Sequence, residues 1–359
     1  MREQRYFYPT KKTILAYRIF RISSMILVTG GTGLVGSHLL YQLTTENKNI
    51  KAIYRTEKSF DIVKKVFSYF TSEVDVLFSK IEWVKADITD IPSLMIAFKD
   101  VTTVYHAAAL VSFEAKDYRK MRKINIEGTA NIVNLCINNS VKKLCYVSSI
   151  AAIGDSIDNN LVTEENEWSV ETSNNGYAIT KHGAEMEVWR GSQEGIDVVI
   201  VNPGVILGAG FWNLNTGQLF SKIAKGFSFY SEGVTGFVGV KDVVKAMIKV
   251  MESSVKNEKF ILVAENNSFR EIFTLIANAF GKKPPTIRIS ITLSKLLRRV
   301  DALVTFLTRK KRLITKESIK SLHGKTRYSS EKIKKAIAFD FESIHQVVVE
   351  TCAIYKKEN

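Results

Sequence analysis

Tyr177 and Lys181 stand four residues apart, a spacing that a helix converts into a phenol and an ammonium on one face, a single turn apart. Such a pair can move a proton, because an unperturbed phenol titrates at about 10 and a neighbouring cation favours its anion. The spacing alone is common: it recurs at Tyr8/Lys12, Tyr54/Lys58 and Tyr328/Lys332. Only Tyr177 lies downstream of a strand-like run ending in Ser148-Ser149, where hydroxyls would stand at the carboxyl edge of a parallel sheet, the edge at which open α/β folds bind ligands. One reaction that would use these types is the interconversion of a carbonyl and an alcohol. Hydride goes to carbon and a proton to oxygen, so a proton donor must stand within hydrogen-bond reach of that oxygen. Tyr177 is the candidate donor, Lys181 the supporting charge, and one of the two serines a second donor to the same oxygen.

A hydride source is written upstream. Thr29, Gly30, Gly31, Thr32, Gly33, Leu34, Val35 and Gly36 read TGGTGLVG, which counted from Gly31 satisfies GxGxxG. The motif follows a buried-strand pattern, Met25 to Val28, and opens a helical one, Leu34 to Leu43, which is the context that gives it meaning. Glycines let the backbone turn tightly and approach a pyrophosphate at the helix N-terminus. The second strand then ends Tyr54-Arg55-Thr56, without the acid that usually holds the adenosine ribose. Arg55, with Lys58 nearby, fits a 2′-phosphate, so NADP is favoured over NAD; the competing reading leaves Arg55 a solvated charge.

The elements that must position these groups follow from periodicity. Short apolar runs at Met25–Val28, Lys51–Tyr54, Ile81–Lys85, Thr103–His106, Lys143–Val147 and Val198–Val201 alternate with amphipathic stretches. The pattern predicts a Rossmann-type α/β fold, a doubly wound parallel sheet with a smaller, mostly helical C-terminal substrate lobe. The division expected is a basic extension over 1–24 outside the fold, a dinucleotide-binding domain over 25–205 with a return segment at 236–265, and a substrate lobe from 206–235 and 266–359. Gly236 to Met251 reads as one more sheet-and-helix return. The 359 residues, 45% of them hydrophobic, exclude disorder. Cys136, Cys145 and Cys352 are scattered and the five histidines lack ligand spacing, so neither a disulfide framework nor a metal site is expected.

Seven ordered pieces make the chain resemble the extended short-chain dehydrogenase/reductase superfamily, the NAD-dependent epimerase/dehydratase family, from about Met25 to Tyr355. They are TGGTGLVG at 29–36, Ala86-Asp87-Ile88, His106 to Ala109, Asn125 to Thr129, YVSSIAAIG at 146–154, YAITK at 177–181 and NPGVILG at 202–208. The resemblance implies that Asp87 and Ile88 contact adenine, that Ala107, Ala108 and Ala109 line the path to the nicotinamide, and that Pro203 and Gly204 pass it. It selects Ser149 over Ser148 as the catalytic hydroxyl, gives Lys181 a second task on the nicotinamide ribose, and makes Asn125 a support of the active-site helix or a member of a water relay. Ile150-Ala151 replace the Asp-Glu pair of the family's dehydratases, which disfavours dehydration. The branch implied is that of dihydroflavonol reductases and 3β-hydroxysteroid dehydrogenases, enzymes for bulky apolar carbonyls. Val111, Phe113, Phe211 and Trp212 are the expected substrate-lining residues. A nucleotide-sugar epimerase with tightly bound NAD, and a non-catalytic dinucleotide-binding regulatory or scaffold protein, are the alternatives.

The net charge of +15 is uneven. Residues 1–24 carry net +5 and residues 282–335 net +14, leaving 28 basic and 32 acidic groups in the other 281 residues. No nucleic-acid recognition motif accompanies the charge, so no nucleic-acid partner is expected. A helical stripe from Leu293 to Leu307 followed by Arg309-Lys310-Lys311-Arg312 reads as a solvated face or as a peripheral contact with anionic membrane. The partners expected are a small-molecule substrate and a second copy of the chain, and the location cytoplasmic or membrane-peripheral.

Overall fold

The computed structural model describes residues 24–155, 161–169, 175–294, 301, 319 and 322–359. The basic N-terminal stretch before Ser24 and the 309–312 cluster lie outside the described residues, as does most of the 293–307 stripe. No helix among the described residues is long and apolar enough to cross a membrane.

Seven strands form one parallel sheet: β1 (Met25–Thr29), β2 (Asn49–Tyr54), β3 (Ile81–Lys85), β4 (Val101–His106), β5 (Lys143–Val147), β6 (Asp197–Pro203) and β10 (Glu258–Leu262). Their order across the sheet is β3-β2-β1-β4-β5-β6-β10. The direction of winding therefore reverses beside β1, and the glycine loop leaves from the carboxyl end of that strand, at the switch point where such sheets take ligands. Helices cover both faces because side chains alternate along each strand. Ile26 and Val28 enter one core with Leu39, Leu40, Val243 and Met247. Leu27 enters the other with Val104, Ile132, Val133 and Val188.

Among the described residues the α-helices longer than four residues are, in chain order, α1 (Leu34–Thr45), α2 (Phe60–Ser68), α3 (Val74–Ser79), α4 (Ile91–Ala97), α5 (Gly128–Asn138), α6 (Gly176–Gln193), α7 (Gly217–Ala224), α8 (Val240–Glu252), α9 (Phe269–Ala279), α10 (Glu331–Ile337) and α11 (Ile344–Glu358). The smaller lobe adds β7 (Val205–Leu207), β9 (Val234–Gly239) and β11 (Glu265–Ser268) in a second sheet, and β8 (Phe229–Tyr230) with β12 (Ile287–Arg288) in a third. Phe220, Phe237, Ile272, Ile276 and Val348 form its core.

The Gly236–Met251 segment divides its loyalties. Its strand, β9, joins the small sheet, its helix, α8, covers the large one, and the strand that returns to the large sheet is β10. Two glycines permit the crossing: a Cβ on Gly204 would lie 2.4 Å from the Gly236 carbonyl oxygen, and one on Gly236 would lie 2.4 Å from Val263 Cγ2.

The edge strand β10 is blunted by side chains. Glu164 Oε1 accepts from the Ile261 amide at 2.7 Å, and Ser330 Oγ accepts from the Val263 amide at 2.8 Å. The buried Lys143 of β5 closes the other end of the architecture, its Nζ donating to the Val250 carbonyl at 2.7 Å and to the Ser253 carbonyl at 2.9 Å where α8 runs out. Lys143→Met strips these carbonyls of their donor and is expected to cost roughly 2–4 kcal/mol, read as a lower urea midpoint at unchanged slope.

Candidate active site

The glycine loop takes its shape from contacts that exclude a side chain. Gly30 has φ +70°, and a Cβ there would sit 2.6 Å from the Ala107 carbonyl carbon and the Ala108 nitrogen. A Cβ on Gly36 would lie 2.1 Å from the Gly30 oxygen, so α1 can start this close to the turn only with glycine. Gly33 differs: its backbone is extended and a Cβ would meet only the Gly30 oxygen at 3.4 Å. It is the N-cap of α1, with no side-chain cap and no acid in the first turn. An uncapped helix N-terminus behind a turn of this shape fits a pyrophosphate, by hydrogen bonding and by dipole.

Around the loop stand the other residues expected to hold a dinucleotide. Arg55 and Lys58 are exposed beyond the end of β2. Asp87 accepts from the Thr89 amide at 2.9 Å and from its hydroxyl at 2.7 Å. Burial pushes this carboxyl up, but the Thr89 bonds and the Arg55 and Lys123 charges outweigh it, and Asp87 lies below the ordinary range. Ile88 is buried, and a Cβ on Gly128 at the head of α5 would come within 2.7 Å of its Cδ1. Ala107 and Ala108 are tied back to β1, the first through the Thr29 carbonyl at 3.2 Å and the second through the Thr29 hydroxyl at 3.3 Å. Pro203 ends β6 in register with Leu262 of β10, and the Gly204 amide donates to the Leu262 carbonyl at 3.0 Å.

Ser149, Tyr177 and Lys181 converge at the carboxyl ends of β5 and β6. Ser149 caps a single turn, its Oγ accepting from the Ala151 amide at 3.1 Å. Asn175 caps α6 by accepting from the Tyr177 amide at 2.9 Å, which sets the phenol at the first turn of the helix. Burial pushes the Tyr177 phenol up to about 12, with the hydrogen-bonding Ser149 hydroxyl pulling the other way. Ser148 is buried behind this pair, at 4% exposure. Lys181 lies deeper, at 1% exposure, and its Nζ donates to the Val147 carbonyl at 2.7 Å and the Tyr146 hydroxyl at 2.8 Å. Burial pulls its pKa down to about 7, opposed by Glu185. The other Tyr/Lys spacings among the described residues straddle element boundaries: Tyr54 ends β2 and Tyr328 sits in a bridge to Val162.

Asn125 sits in a wide π turn, Arg122–Glu127, just before α5. Its Oδ1 accepts from the Leu110 amide at 2.7 Å, and its Nδ2 donates to the Leu110 carbonyl at 3.0 Å and to Thr180 Oγ1 at 3.1 Å. The side chain therefore clamps the 107–111 segment to the helix that carries Tyr177. His106 extends the link: Nδ1 lies 2.6 Å from Thr29 Oγ1, and Nε2 lies 2.9 Å from Thr129 Oγ1, which donates to the Asn125 carbonyl at 2.6 Å. Burial and the Lys181 charge hold this imidazole down at about 3, so it stays neutral.

Of the expected substrate-lining residues, Phe113 is exposed with its ring 5.9 Å from that of Tyr177, edge to face, and Val111 is exposed on the same segment. Phe211 is half-buried ahead of α7. Trp212 corrects the expectation. It is buried in the lobe core against Phe220 and Tyr355, and its Nε1 donates to Glu358 at 2.5 Å, the kind of partner a buried indole N–H usually finds. Sequence reasoning passed over Tyr146, Thr180 and Glu185. For Glu185 a signal existed, since it continues the four-residue spacing of Tyr177 and Lys181.

The model of the NAD dependent epimerase/dehydratase family matches residues 26–263. The chain belongs to this family. It is an NAD(P)-dependent oxidoreductase of the extended short-chain dehydrogenase/reductase type. A putative dihydroflavonol 4-reductase of Synechocystis sp. is 23% identical over 337 residues, which cover 92% of this chain and 94% of the relative. Sterol demethylase protein B of Methylococcus capsulatus is 26% identical over 269 residues, covering 73% of this chain and 76% of the relative. In fold, UDP-glucose 4-epimerase of Thermotoga maritima, solved with UDP-glucose, superposes with a TM-score of 0.73 at 19% identity, covering 93% and 99% of the two chains. Within the family frame, the fit at Gly36 is the most exacting feature of the cofactor loop. Gly36→Ala is expected to weaken dinucleotide binding by at least about tenfold and to lower thermal stability, measured by NADPH fluorescence titration and by melting.

Proposed function

We propose that the protein interconverts a carbonyl and a secondary alcohol on a bulky apolar substrate, with NADPH as the favoured cofactor. The observation that carries this reading is the half-buried Tyr177 phenol bonded to Ser149, with Lys181 buried behind it and the apolar Phe113 and Val111 open beside it. A bound nicotinamide dinucleotide would supply the hydride.

The residues of the chain do the rest. Ser149 and Tyr177 both direct hydroxyl donors at the position of a substrate oxygen, and Tyr177 releases its proton as charge develops there. The phenol is protonated across the neutral range, so it meets a ketone as an acid. Lys181, one turn inward, stabilises the phenolate left behind and so favours the transfer. Phe113 packs edge to face with the Tyr177 ring and offers an apolar wall to a flat, hydrophobic ligand. Arg55 and Lys58 support a 2′-phosphate, and the absence of an acid at the end of β2 weighs against a nucleotide-sugar epimerase that retains NAD. The proposed assembly is a homodimer built on α5 and α6, where Met186 is exposed on the catalytic helix; light scattering should give twice the chain mass.

Tyr177→Phe is expected to lower NADPH-dependent reduction of a panel of aryl ketones and enones by about 100-fold or more while leaving NADPH affinity within about twofold. Equal turnover in the two proteins would refute the assignment. Arg55→Ala should weaken NADPH binding by about tenfold with NADH binding unchanged; an equal loss for both cofactors would reassign Arg55 to a structural role.

A further inference from the structure

We propose that Glu185 is a positioning residue of this active site: its carboxylate, held by Asn202, clamps the catalytic helix to the strand ends that carry Ser149 and supplies the buried counter-charge of Lys181. The inference rests on the Ser149, Tyr177 and Lys181 assignment above and adds a fourth group to it.

Glu185 lies one turn beyond Lys181 on α6, so Tyr177, Lys181 and Glu185 follow one another along a single helix face. It is 1% exposed, a position that glutamate almost never takes without a partner. Its Oε1 accepts from Asn202 Nδ2 at 2.5 Å, and the same amide nitrogen donates to the Ser149 carbonyl at 3.0 Å. Asn202 is fully buried near the end of β6, immediately before Pro203. One carboxylate and one amide thus join α6, β6 and the end of β5, the three elements whose relative placement sets the distance from Tyr177 to Ser149.

The charges around the pair are few. Glu185 faces Lys181 on its own helix, Ser148 and Tyr146 from the β5 side, Asn202 from β6 and Lys259 from β10. Lys181 also faces Tyr146, bonded to its Nζ, and His106 on β4. Burial holds the Tyr146 phenol far above its ordinary range and His106 far below, so neither carries charge near neutrality. Burial likewise raises the Glu185 carboxyl, against Ser148, Asn202 and the two lysines. Glu185 is therefore the carboxylate acting on the Lys181 ammonium, and its removal must lower the pH at which Lys181 loses its proton.

The test reads Lys181 directly, by ¹³C resonance of its Cε in lysine-labelled protein, with the signal assigned by its loss in Lys181→Met. In Glu185→Gln the Lys181 midpoint is expected to fall by roughly one pH unit. The reciprocal reading uses the Cδ of Glu185 in Lys181→Met, which must move up by the same amount because coupling between two sites is mutual. That second variant decides alone if Glu185→Gln does not fold. Midpoints that stay within about 0.2 unit of wild type in both variants would overturn the proposal. Wild-type turnover in Tyr177→Phe would instead overturn the reductase reading and with it the catalytic use of the pair, so the two failures are told apart.

Discussion

A lysine ammonium buried at the carboxyl edge of the sheet is the constraint around which this site is organised. Removing such a charge from water costs several kcal/mol unless partners replace the lost hydration. Lys181 finds them in the Val147 carbonyl and the Tyr146 hydroxyl at the end of β5, and in the charge of Glu185 on its own helix. Meeting those demands fixes the rotation of α6 against β5. Tyr177, one turn earlier on the same helix, then meets Ser149, the residue two beyond Val147. The electrostatic requirement of one side chain thus becomes the geometry of the other two.

A second chain of contacts ties this cluster to the glycine loop. It runs from Thr29 through His106 and Thr129 to Asn125, and from Asn125 to Thr180, whose hydroxyl donates to the Tyr177 carbonyl at 2.9 Å. Each member is buried and paired, which makes the network rigid. The strand that begins the glycine turn and the helix that carries the phenol are held as one unit, the preorganisation that hydride and proton transfer to adjacent atoms requires. A neutral His106 suits this role, since a second cation beside Lys181 would oppose its charge.

Much of this was legible before any coordinates. Strand β5 matches the expected Lys143–Val147 because a buried parallel strand reads as a short apolar run, and the edge strand β3 matches the expected Ile81–Lys85. The glycine loop was legible for a related reason, as sterics at Gly30 and Gly36 leave one residue type. Less visible were features decided by long-range packing. The π turn at Asn125 has no local signature, and its amide side chain bonds the Leu110 backbone fifteen residues away. Trp212 went to the lobe core because Glu358, at the far end of the chain, offers an acceptor there. Strand β9 left the main sheet because Gly204 and Gly236 let two backbones pass closer than side chains allow.

The proposed reaction requires Tyr177 to deliver the proton that accompanies the hydride. The most direct measurement is mass spectrometry of the alcohol formed from an aryl ketone with NADPH deuterated at the transferable C4 position, in wild type and in Tyr177→Phe. The account predicts one deuterium on the carbinol carbon with wild type and product formation near background with the phenylalanine variant. Alcohol lacking deuterium, or deuterated alcohol formed equally fast without the phenol, would contradict it.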